Sequence, residues 1–186
     1  VTVTEGYLVS AQARLLACEH AHSMWDWWVD VVSAGHGEDE GAETLANAAV
    51  VEHLHTLEAT TLASVPVATP EPAYCTGHYV AARALDTTVN LPESPDLFGT
   101  TLYIQGTYTR NGEPPTAFTL RTNLNYGQLV DLSRPARTGD EPVTVEIVRP
   151  VATIFDGVDF ATASPELAAK DVLWALAGDV QIRLAD

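Results

Sequence analysis

Residues 2–17 constrain the fold most, because they alternate in character with a period of two. Val3, Tyr7, Val9, Ala11, Ala13 and Leu15 share one parity, and Thr2, Thr4, Ser10, Gln12 and Arg14 fall among the polar positions between them. Successive side chains of a strand point to opposite faces, so this pattern predicts one long half-buried β-strand rather than a helix. It runs directly into Cys18 and a stretch dense in histidine and tryptophan.

Further strand signals follow. Ala49–Leu57 reads as a strand or a short helix, and Thr60–Pro72 as an extended segment. Tyr74–Leu85 reads as a strand entered through Gly77. Leu102, Ile104 and Tyr108 alternate with polar neighbours, the Asn111-Gly112 turn signal comes next, and Phe118, Leu120 and Leu124 resume the alternation. That is a β-hairpin whose loop is lengthened by Pro114 and Pro115. Val143, Val145 and Ile147 mark another strand. Ser164-Pro165 starts a helix that shows Ala169, Val172, Leu173 and Leu176 on one face and stops at Gly178. Val180, Ile182 and Leu184 form a last strand. The expected fold is all-β, mainly an antiparallel β-sandwich, as one domain with a single C-terminal helix and a His/Trp-rich loop at 19–48.

Chemistry concentrates in Cys18–Glu40. This window carries three of the six histidines, the only methionine, three of the four tryptophans and one of the two cysteines. His20 and His22 form an H-x-H pair, and on an extended chain both imidazoles project the same way and can meet one ion. His36 follows Gly35 and returns as a third candidate ligand. Imidazole suits copper and zinc, and the Met24 thioether tilts the choice toward copper. The competing reading is a solvated, histidine-bearing loop. His53 and His55 form a second H-x-H that completes the same site, forms another, or merely sits at a sheet rim. His78, beside Cys75, is a weaker candidate. Trp25, Trp27 and Trp28 read as core, as an aromatic patch for a partner or glycan, or as groups shaping a redox metal site. Ser23-Met-Trp-Asp26 is a candidate capping box, though Trp27, Val29 and Val31 equally fit a strand face.

Composition narrows the function classes. The net charge is −16, with 25 acidic against 9 basic residues. Such a surface repels nucleic acid and anionic membranes and suits a cation binder, or serves solubility alone. No run approaches the roughly 18 apolar residues of a membrane span. The chain begins at Val1 without a basic or apolar leader, so the expectation is either a trimmed cytosolic protein or an exported one whose leader was removed. Cys18 and Cys75 lie at the ends of candidate strands. A disulfide is expected, in an oxidising compartment, against the alternatives of two buried thiols or two thiolate ligands. The motifs of serine hydrolases, nucleotide-binding loops and zinc proteases are absent. Glu38, Asp39 and Glu40 read as solvating groups, and Asp156-Gly157-Val158-Asp159 as a turn before the helix rather than a calcium loop.

The order of these segments resembles the extracytoplasmic copper-binding group that includes MbnP-like proteins and the methanotroph CorA and MopE proteins. The likeness rests on the long first strand, the His-rich loop after it, VVEHLHTL at 50–57, and YCTGHYVAARA at 74–84. It continues through the hairpin 102–120, Ile154-Phe-Asp-Gly-Val-Asp-Phe160, a helix and a terminal strand. The resemblance implies an exported β-sandwich, periplasmic, surface-bound or secreted, that holds copper through histidines; the expectation is a binding protein, not an enzyme. In some members a tryptophan two residues before a histidine is oxidised to kynurenine by a di-haem MauG-like enzyme. This chain has no Trp-x-His, so no tryptophan is assigned that role, and the MauG-like enzyme stands as a partner by resemblance alone. The expected ligands are His20, His22 and His36, with copper as cofactor. The alternatives are a non-metal interaction module presenting an aromatic patch and a structural surface domain.

Overall fold

The computed structural model describes residues 1–18, 42–44, 49–56, 59–62, 73–110, 112–136 and 144–184. The strands are β1 (Thr2–Ala17), β2 (Ala42–Thr44), β3 (Val50–His53), β4 (Tyr74–Ala81) and β5 (Leu102–Tyr108). They continue with β6 (Thr116–Thr122), β7 (Tyr126–Ala136), β8 (Val145–Val148) and β9 (Gln181–Leu184), and the helix α1 is Pro165–Gly178. The class is the expected one, antiparallel and sandwich-like, with one C-terminal helix.

β1 is the strand shared by everything else. Ser10 has Val50 of β3 on one side and Ala81 of β4 on the other. Leu8 likewise lies between Glu52 of β3 and Leu102 of β5. β5 and β4 therefore follow one another along a single edge of β1. Val9 marks the changeover: its N–H donates to Thr101 O at 2.9 Å, and its carbonyl accepts from Ala82 N at 3.2 Å. Two leaves, β6-β5 and β7-β4, diverge from that point.

The single apolar face expected for β1 is corrected by two register shifts, one between Val3 and Glu5 and one between Ser10 and Gln12. A bulge inserts one residue and so exchanges the faces. Val3, Leu8 and Leu15 consequently face the helix side. Tyr7 and Val9 turn to the opposite side, where they pack with Val51, Ala84 and Leu97 beneath the 82–101 connection.

The main core lies where α1 spans both leaves. Ala168, Ala169, Val172, Leu173, Leu176 and Ala177 are buried against Leu8, Tyr79, Ala81, Leu102, Ile104 and Leu120. Their spacing is that of one helix face, and the alanines let the axis approach closely. Burial of Val172, Leu173 and Leu176 stabilises the docked helix by about 1.5–3 kcal/mol each. Ser164 caps the first turn by accepting from Leu167 N at 3.3 Å, with Pro165 behind it. The antiparallel β8-β9 pair, whose strands are joined through α1, closes the β4-β7 leaf. Ile182 fills the space over Gly77, where any Cβ would collide with its side chain.

Candidate metal centre

Cys18 and Cys75 are bonded, with their Cα atoms 4.8 Å apart. The bond ties the end of β1 to the start of β4, where Cys18 N also donates to Ala73 O at 2.8 Å. Ala42 pairs with Leu16 on the other edge of β1. Cys18 and Ala42 therefore lie beside the same end of the strand. Part of the expected 19–48 loop, Ala42–Thr44, is strand β2. His20, His22 and His36 lie outside the described residues, as do Met24, Trp25, Trp27, Trp28 and Glu38–Glu40.

The second H-x-H pair is among the described residues and lies at the end of β3. His53 ends β3 opposite Tyr7, and His55 follows in the turn; both side chains are exposed. Their ring centroids are 5.6 Å apart. Each ring meets the Tyr7 ring edge-on, at 5.1 and 5.6 Å. Tyr7 is buried, and its hydroxyl donates to Glu5 Oε1 at 3.0 Å. Burial, with the Glu5 carboxylate beside it, pushes the phenol above its ordinary value, so it stays neutral. Among the described residues, no group of three or more His, Cys, Asp and Glu side chains is gathered for an ion.

His78 sits on β4 opposite Arg14 of β1, half-buried. Burial, and then repulsion from the Arg14 guanidinium, hold its imidazole below the ordinary value of 6.5. The unfolded chain therefore takes up this proton first as pH falls. Its contribution to stability is complete above about 6.5 and is lost as pH drops from there toward the lower folded value. Metal-free protein should lose stability to urea between pH 7 and 5, and His78→Gln should flatten that loss. An unchanged slope in the variant would show that His78 is not responsible.

A polar network that the sequence did not suggest lies between β1, β3, β4 and the residue after β8. Arg149 reaches Glu52 with both terminal nitrogens, at 2.7 and 3.0 Å. Its Nη2 also donates to Ser10 Oγ at 3.3 Å, and its Cζ stands 4.7 Å from the centre of the Tyr79 ring. Ser10 donates to Glu52 and pairs with the Tyr79 hydroxyl at 2.7 Å. With the Ser10 proton on Glu52, Tyr79 is the donor to Ser10. Burial acts against the Arg149 charge, but Tyr79 and Glu52 outweigh it and raise the guanidinium. Burial likewise keeps the Tyr79 phenol protonated. The network ties the residue after β8 to β1, β3 and β4.

Among the described residues no helix is long and apolar enough to cross a membrane. Comparison with protein-family models, curated proteins and solved structures finds no match.

Proposed function

We propose that this chain is an extracytoplasmic copper-binding protein, serving copper sequestration or delivery rather than catalysis, with His20, His22 and His36 as ligands. The observation that carries the reading is the Cys18–Cys75 bond. It favours an oxidising compartment, and it anchors the segment bearing all three histidines two residues before the first of them. An anchored start, with the return at Ala42 beside Leu16, lowers the entropy lost when the segment closes around an ion. Three imidazoles and a nearby thioether form a donor set that suits copper over hard cations. The charge of −16 raises the local concentration of any cation. Because an imidazole must be deprotonated to bind, affinity should fall below pH of about 6.5. A MauG-like di-haem enzyme remains a partner proposed on resemblance.

Metal analysis of protein purified without an affinity tag tests the proposal. Stoichiometric copper is expected. Zinc in its place would reassign the metal, and protein that takes up neither ion would sink the reading in favour of an interaction module.

A further inference from the structure

We infer that His53 and His55 form a second surface site, for a divalent transition-metal ion, beside Tyr7 of β1. Tyr7, which pairs with His53, lies nine positions before Leu16, which pairs with Ala42. At ~3.3 Å per residue that is about 30 Å along the strand. The inference does not depend on the role of His20, His22 and His36.

The backbone holds the two imidazoles together. Leu54, between them, packs against the main core, and its N–H donates to Gly6 O at 2.8 Å. Gly6 makes that approach possible: a Cβ there would stand 3.2 Å from Leu54 Cβ. With Leu54 turned inward, both rings are carried to the Tyr7 side, as their contacts with that ring show. Tyr7 is only 6% exposed and tied to Glu5, so it is a fixed wall for two otherwise exposed side chains.

The ring geometry suits a shared ion. Metal–nitrogen bonds of about 2.0–2.1 Å place the centroids of two imidazoles on one ion roughly 4.5 Å apart at a right angle and about 5–6 Å apart at wider angles. The observed 5.6 Å falls in that range without repacking the core. His55 Nδ1 lies 3.1 Å from both the N and the O of Gly6. The Gly6 N–H donates to Nδ1, which fixes the His55 ring against β1. Two neutral imidazoles with the remaining positions open to water favour Cu2+ over Zn2+ and over hard cations.

The test is Cu2+ titration of the full chain carrying His20→Ala, His22→Ala and His36→Ala, by calorimetry and by the nitrogen hyperfine structure of the copper resonance. One equivalent with two nitrogen donors is expected, and adding His53→Ala and His55→Ala should remove it, while adding His78→Ala should not. A triple variant that binds no Cu2+, or a quintuple variant that binds it unchanged, overturns the inference. The His53→Ala/His55→Ala double variant separates the two sites, since it keeps whatever copper the 19–41 histidines hold. Should the multiple variants fail to fold, diethyl pyrocarbonate labelling of the unaltered protein decides. Cu2+ should protect His53 and His55, and labelling of both at an unchanged rate would refute the site.

Discussion

Arg149→Ala is expected to destabilise the fold by about 3–5 kcal/mol, the usual consequence of removing one partner from a buried ion pair. The side chains of Arg149 and Glu52 are only 7% and 13% exposed, so this is not a screened surface pair. Truncation leaves the Glu52 carboxylate in a half-buried pocket with Ser10 as its remaining donor. It also removes a guanidinium from the face of Tyr79 and a donor from Ser10. Urea denaturation of the variant measures the loss. The pair itself need not be net stabilising: its own desolvation is costly, and buried Arg149 Nε has no hydrogen-bond partner among the described residues. The double replacement Arg149→Met with Glu52→Leu should therefore recover most of what the single variant loses. A single-variant loss below about 1 kcal/mol, typical of exposed pairs, would show that water reaches the network.

Loss of the Cys18–Cys75 bond is expected to cost about 4 kcal/mol, from the chain entropy released when a loop spanning 57 positions opens. The native sheet should survive at low temperature, because β1 and β4 remain paired from Ser10 to Ala17. What changes is the unfolded chain, which becomes more expanded. Reduced protein, or Cys18→Ser with Cys75→Ser, should therefore show a lower urea midpoint together with a steeper denaturant dependence. Intact mass before and after reduction identifies the species being measured. Equal midpoints for both forms would contradict the entropic account.

How far the sequence foretold the structure varied with the range of the interactions. The 102–122 hairpin was legible because its alternation and the Asn111-Gly112 signal are local. The helix, expected at 165–177 and found at Pro165–Gly178, was legible for the same reason. The disulfide followed from two cysteines at strand ends. β7 (Tyr126–Ala136) escaped notice: it is a partly exposed edge strand whose apolar residues are interrupted by Asp131 and Pro135. The bulges in β1 were hidden because an inserted residue changes the face without changing the composition. The Arg149 network joins residues separated by 42 to 139 positions, which no local pattern encodes. At the candidate centre, the H-x-H spacing announced His53 and His55, but not Tyr7, which looked like one more apolar position of β1. His20, His22 and His36 lie outside the described residues, and their proposal as ligands rests on the sequence.

Copper titration of untagged protein against its His20→Ala/His22→Ala double variant tests the central claim most directly. The parent should bind a tight stoichiometric equivalent that the double variant lacks, while the variant's circular dichroism stays β-dominated. Equally tight binding by the variant, with no equivalent lost, would contradict the claim and remove residues 19–41 as the copper site.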